Sequence, residues 1–213
     1  MNWKQLPLGP LQTNCYVLYD NDKNAIIIDP AGDADKLLTY LQENDLHPVV
    51  ILLTHAHFDH IGALDAVRDA YNIPVYLHDQ ESDWLGDPQK NGSGRMMPEA
   101  AFTTRPADHL LQSEGTLQFG SFEFQWLHTP GHSPGSVSYW HKETNTVFSG
   151  DVLFSGGVGR TDLYGGDMDT LLASIHEQLL ELPENTVVAC GHGPFTDIAA
   201  EMDSNPFING FGA

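Results

Sequence analysis

Between residues 54 and 60 the chain reads Thr-His-Ala-His-Phe-Asp-His, which places His55, His57, Asp59 and His60 within six residues. Imidazole nitrogen and carboxylate oxygen suit zinc and iron alike, and a set without thiolate favours an open catalytic centre over a closed structural one. The β-favouring apolar residues 49–53 stand directly before this run and read as a buried strand. The donors therefore leave the strand's C-terminal end on a tight loop, where rigid elements hold functional groups.

Three later segments repeat that placement. Thr129-Pro130-Gly131-His132 follows the alternating residues 122–127, Ser149-Gly150-Asp151 follows Thr146-Val147-Phe148, and Gly191-His192-Gly193-Pro194 follows Thr186-Val187-Val188-Ala189. Seven donor candidates, His55, His57, Asp59, His60, His132, Asp151 and His192, thus fall just beyond strands. Loops converging at one rim of a sheet would produce this pattern, whereas a surface histidine cluster would not.

His-x-His-x-Asp-His followed by single His, Asp and His at strand-to-loop junctions resembles the metallo-β-lactamase superfamily of metallohydrolases, over nearly the whole chain. Asp29 in Ile26-Ile27-Ile28-Asp29-Pro30 looks like that family's early aspartate behind the ligands, and Gly157-Val158-Gly159-Arg160-Thr161-Asp162 looks like the glyoxalase II-related branch. The resemblance implies an α/β fold, an αββα sandwich of the metallo-β-lactamase type. It also implies two divalent ions, zinc first, with iron or manganese as alternatives. His55, His57 and His132 would hold one ion, Asp59, His60 and His192 the other, and Asp151 would bridge them. Two cations lower the pKa of a shared water towards about 7, so no side-chain nucleophile is required.

The leaving group narrows the substrate. A thiolate, with a pKa near about 8.5, departs without a general acid, whereas an amine must be protonated. The expected reaction is hydrolysis of a small thioester of the glyoxalase II type, with Asp59 as catalytic residue as well as metal ligand and Arg160 facing a substrate carboxylate. The chain runs only about twenty residues past His192, so the expectation is one domain over residues 1–213 without the C-terminal helical glutathione-binding domain of full-length glyoxalase II. Gly193-Pro194 also replaces that family's acidic residue and tyrosine. The runner-up is a persulfide dioxygenase, using one iron on His55, His132 and Asp151. A β-lactamase ranks lower, because Asp151 as a bridge differs from the sites of true lactamases, and a non-catalytic metal-binding scaffold is the alternative outside enzymology.

Composition fits a hydrolase of small molecules. The 213 residues with 41% hydrophobic content suffice for a core, and a formal charge of −20 repels polyanions, so no nucleic acid is expected as a partner. No segment approaches a membrane span and the start lacks an apolar signal region, so the expected location is cytoplasmic. Cys15 and Cys190 are read as buried thiols rather than a disulfide. With 29 acidic residues against 9 basic ones, self-repulsion weakens the folded state at low ionic strength. Raising NaCl from about 0.1 M to about 2 M is expected to raise Tm by several degrees. A Tm unmoved by salt would remove the reading of a salt-adapted protein.

The elements expected to position the donors are strands near 2–7, 15–19 and 25–29, a helix from Asp33 with Asp33 as N-cap, and the strand before His55. A helix from Asp59 to about Tyr71, a strand 75–77, an acidic helix near 80–84 and a long loop over 86–106 follow. The second half reads as strands near 108–111, 116–127, 136–140 and 146–149, a helix 169–180, a strand 186–189 and a short helix from Thr196. Residues 93–106 and 207–211 could cover the core or serve a contact between copies.

Overall fold

A computed structural model describes residues 1–209, which divide into two compact units, one from Met1 to Gln112 and one from Ser113 onward. In the first unit, strands β1 (Asn2–Leu8), β2 (Thr13–Tyr19) and β3 (Asn24–Ile28) run antiparallel. Helix α1 (Ala34–Glu43), β4 (His47–Leu52), α2 (Leu64–Tyr71), β5 (Val75–His78), the single turn α3 (Ser93–Met96) and β6 (His109–Leu111) follow. The six strands form one sheet in sequential order, with β3 to β6 parallel. Parallel strands buried on both faces require continuous apolar sequence, and Ile26 to Ile28 and Val50 to Leu53 supply it. Leu37 and Leu41 of α1 and Leu64 and Val67 of α2 cover Ile27, Ile51, Leu53, Val75 and Leu77.

In the second unit, β7 (Gly115–Phe119), β8 (Phe122–His128), β9 (Val137–His141) and β10 (Thr146–Gly150) form an antiparallel meander. A two-stranded ribbon, β11 (Leu153–Phe154) and β12 (Gly157–Val158), precedes helix α4 (Met168–Ser174), which continues into a π-helical turn, Ile175–Leu179. Strand β13 (Val187–Cys190) pairs parallel with β10 and antiparallel with β14 (Thr196–Asp197), after which α5 (Ile198–Ser204) closes the unit. Leu171, Ile175 and Leu179 pack with Val147, Leu153, Val188 and Ile198 as its core.

Several expected elements are reshaped. The helix expected from Asp59 begins as a 3-10 turn, Phe58–His60, and α2 starts only at Leu64. Gly62 is the cause: its N–H donates to the Ala31 carbonyl at 3.0 Å, and a Cβ there would come within 2.4 Å of the same oxygen. The acidic helix near 80–84 is a 3-10 turn, Asp79–Glu81, and the strand expected over 116–127 is the β7–β8 hairpin. The expected loop 86–106 contains α3 and a second 3-10 turn, Pro98–Ala100. Asp33 does stand at the N-cap of α1 but makes no side-chain cap. Its left-handed backbone (φ 45) turns the carboxylate towards the Gly9 N–H and Lys36 instead. At the C-terminus Ile208 is buried and Phe207 half exposed, while Gly210 and Phe211 lie outside the described residues.

Candidate metal centre

The parallel strand β4 delivers the first donor group. His55, His57 and His60 are buried, and the Asp59 side chain is 11% exposed. The ring centroids of His55 and His57 lie 4.7 Å apart and those of His55 and His60 4.1 Å apart. Asp29, on a left-handed backbone after β3, aims its buried carboxylate beneath them. Oδ1 accepts the Thr54 N–H at 2.7 Å, and Oδ2 accepts the Thr54 hydroxyl at 2.6 Å and His60 Nδ1–H at 2.9 Å. The Thr54 hydroxyl has spent its proton on Asp29, so His55 Nδ1, 3.1 Å away, donates to it. Both rings are thereby fixed with the lone pair on Nε2, which leaves that nitrogen able to bind a metal. Asp29 thus stands directly behind His60.

Two supporting residues escaped the sequence reading. The Thr13 hydroxyl donates to Asp59 Oδ2 at 2.7 Å. Glu81, fully buried, accepts the Ala56 N–H at 2.6 Å and so pins the peptide between His55 and His57. The signal existed for Glu81, which follows β5 just as the donors follow their strands, whereas nothing in the sequence distinguishes Thr13. Glu81→Ala is expected to cost about 2 kcal/mol by stranding a buried N–H. Glu81→Gln, whose carbonyl still accepts, should lose less than half as much, and thermal melts of the two variants check this.

The second unit carries the remaining candidates, His132, Asp151 and His192. His132 sits in a loop closed by several hydrogen bonds: His128 Nε2–H to the Pro134 carbonyl at 2.9 Å, Ser174 Oγ–H to Pro130 at 2.7 Å and the Asp167 N–H to Gly131 at 2.8 Å. Its Nδ1 is 2.8 Å from the Arg160 carbonyl, which only accepts, so the lone pair again lies on Nε2. The β10 register shifts between Phe148 and Gly150, and Gly150 takes φ 53, an irregularity that re-aims Asp151. The Gly150 carbonyl accepts the Gly191 N–H at 2.7 Å, tying the Asp151 and His192 loops together. His132 Nε2 and His192 Nε2 stand 3.6 and 3.4 Å from Asp151 Oδ2. Donors sharing one ion at about 2.1 Å in a tetrahedral site lie roughly 3.4 Å apart, so this set fits a metal.

Gly159 shows how closely the backbone passes. A Cβ on it would fall 1.9 Å from the Asp151 carbonyl oxygen and 3.2 Å from His132 Cβ. Glu201, buried on α5, accepts the Gly156 N–H at 2.9 Å and the Thr196 hydroxyl at 2.6 Å, and so anchors both the β11–β12 ribbon and the segment after His192. Burial raises the Cys190 thiol to about 11, and the protonated Sγ donates to the His192 and Pro194 carbonyls. Cys15 and Cys190 are both buried and are not joined in a disulfide. The Arg160 guanidinium is 54% exposed and forms a two-pronged pair with Asp162 at 2.7 Å on each arm.

Three other histidines, His78, His109 and His141, have structural surroundings. His78 caps its own turn by accepting the Gln80 N–H, His109 stacks on Tyr76, and burial lowers the pKa of His141, whose ring meets Thr144. Among the described residues no helix is long and apolar enough to cross a membrane.

Residues 8–192 match the family model for the metallo-beta-lactamase superfamily. The chain belongs to the metallo-β-lactamase superfamily. It has that superfamily's mixed α/β fold with two sheets and carries a His/Asp cluster suited to metal binding. Within the superfamily it is 56% identical to the probable metallo-hydrolase YqgX of Bacillus subtilis, covering 99% of each chain. It is 37% identical to the hydroxyacylglutathione hydrolase GloC of Haemophilus influenzae, over 98% of this chain and 99% of GloC. Among solved metallo-β-lactamase folds, it resembles the B3 metallo-beta-lactamase BLEG-1 with a TM-score of 0.95 and 60% identity, over 97% of this chain and 99% of that one. It also resembles TTHA1623 in a di-iron-bound form, with a TM-score of 0.83 and 40% identity, over 96% and 99%.

Proposed function

We propose that the chain is a dinuclear metal-dependent hydrolase of small thioesters, S-lactoylglutathione or the thioester of a related thiol carrier. The observation that carries this reading is full-length similarity to the hydroxyacylglutathione hydrolase GloC. The donor chemistry supports it. His55, His57 and His132 would hold one ion, Asp59, His60 and His192 the second, and Asp151 would bridge. All are nitrogen or carboxylate donors, which suits zinc, and the di-iron form of TTHA1623 makes iron the first alternative.

Bound there, two divalent ions supply Lewis acidity and a nucleophile at neutral pH. The chain's own residues do the rest. Asp29 and the Arg160 carbonyl keep the Nδ1 protons of His60 and His132 turned away from the centre. Asp59, steadied by the Thr13 hydroxyl, orients the attacking water through its carboxylate. A thiolate needs no proton on departure, which matches a donor set containing no further acid. Arg160 would meet a substrate carboxylate only after its exposed pair with Asp162 opens, at a cost within about 1 kcal/mol. Arg160→Ala is expected to raise KM about tenfold with little change in kcat, since a contact made equally in ground and transition states acts on KM. Unchanged kinetics would remove the contact.

The zinc-reconstituted protein should hydrolyse S-D-lactoylglutathione, followed by loss of thioester absorbance, and His132→Ala should abolish it. No turnover above that control sinks the reading. The similarity to BLEG-1 favours a second reading, β-lactam hydrolysis. A chromogenic cephalosporin turned over faster than any thioester would replace the first reading with this one. Oxygen uptake by the iron-loaded protein with a persulfide would instead establish the dioxygenase.

A further inference from the structure

One wall of Asp59 faces a cavity of about 200 Å³ inside the first unit. Leu8, Leu11, Phe58, Met97 and Phe102 supply its apolar lining, and the carboxylates at its wall are Asp33 and Asp59. Both carboxylates are already engaged, Asp33 by the Gly9 N–H and Lys36 and Asp59 by the Thr13 hydroxyl. The cavity therefore offers apolar surface and negative charge, with no cation among its lining residues. Its outer side is the β1–β2 turn, where Leu11 is 48% exposed, and its inner side is the donor loop itself, since Phe58 lies between His57 and Asp59.

Size and polarity decide what it would take. An apolar cavity of about 150 Å³ accepts benzene. A lactoyl methyl would leave most of a 200 Å³ space unfilled, whereas a phenyl or branched side chain fills it and gains the transfer free energy of its buried surface.

We propose that this cavity is the acyl pocket and that it selects apolar acyl groups of up to phenyl size over lactoyl. The inference rests on the thioesterase reading for its reaction and on the cavity alone for its selectivity. It assigns the apolar substituent to the Leu11–Met97 side of Asp59, with the reacting carbonyl at the donors.

D-Mandelate and D-lactate differ only by phenyl against methyl, so they isolate the pocket. In calorimetric titrations of the zinc-loaded protein, D-mandelate is expected to bind at least tenfold more tightly than D-lactate. Leu11→Asp and Met97→Asp, each at a half-buried or exposed position and each checked for native circular dichroism, should cut that preference to within threefold. S-D-mandeloylglutathione should exceed S-D-lactoylglutathione in kcat/KM by a similar factor. Equal binding of the two acids, or a preference that survives both variants, overturns the pocket even if thioesters are hydrolysed. A preference for mandelate that both variants remove, in a protein hydrolysing neither thioester, upholds the pocket and overturns the thioesterase reading.

Discussion

Asp29→Asn should leave the protein folded, with Tm lowered by only a few degrees, yet weaken metal retention by 10- to 100-fold and activity with it. All three groups around the Asp29 carboxylate, the Thr54 N–H, the Thr54 hydroxyl and His60 Nδ1, are placed to donate. An asparagine offers one acceptor oxygen and an NH2 with two donor hydrogens. Its amide oxygen must face the Thr54 N–H, which cannot reverse, so its NH2 faces the hydroxyl and the imidazole, which can. His60 then accepts on Nδ1 and carries its proton on Nε2, where the lone pair is needed. Asparagine also tolerates the left-handed backbone that Asp29 adopts at φ 50. Asp29→Ala strands buried donors as well and should cost about 3–5 kcal/mol. Chelator competition alongside thermal melts separates the two effects. An Asp29→Asn protein that holds zinc as the parent does would refute the tautomer argument.

Gly159→Ala is expected to lower kcat/KM at least about 100-fold. The added methyl would sit 1.9 Å from the Asp151 carbonyl oxygen, and the Gly159 N–H is itself held by the Val152 carbonyl at 3.2 Å, so neither strand of this contact can yield alone. Relief requires a shift of more than about 1 Å in Asp151 or in the loop leading to Arg160, and a misplacement of that size at a reacting centre costs about 100-fold. Gly157→Ala is the control. Its Cβ would make only an ordinary contact, 3.9 Å from Phe154 Cβ, and activity should stay within about threefold. A Gly159→Ala enzyme with normal turnover would show that Asp151 does not need its observed position.

The seven donor candidates were legible because the chemistry that needs them also fixes where they stand. Runs such as 49–53 and 186–189 are short, β-favouring and largely apolar, so they read as strands and a polar residue just past each reads as lying at a strand end. Superfamily membership was legible for the same reason. What holds the donors was legible only in part. Asp29 was legible through the family resemblance of Ile26-Ile27-Ile28-Asp29-Pro30, but Thr13 is one hydroxyl among many, and Glu81 lay in the acidic stretch expected as a helix near 80–84. Local pattern also misjudged helices where tertiary contacts override propensity: nothing near residue 62 reveals that the Ala31 carbonyl will press against it and delay α2 to Leu64. Asp33 was placed correctly as a boundary and wrongly as a cap, because the Gly9 N–H that captures its carboxylate is 24 residues away.

The two imidazoles whose partners differ in kind have different exposure to mutation. His60 leans on a side chain, so a substitution of Asp29 takes its support away. His132 leans on the main-chain carbonyl of residue 160, which every amino acid possesses. A substitution at position 160 therefore changes the side chain displayed there while the acceptor beneath the histidine stays in place. The same loop can vary its outer face and keep the inner support that orients His132.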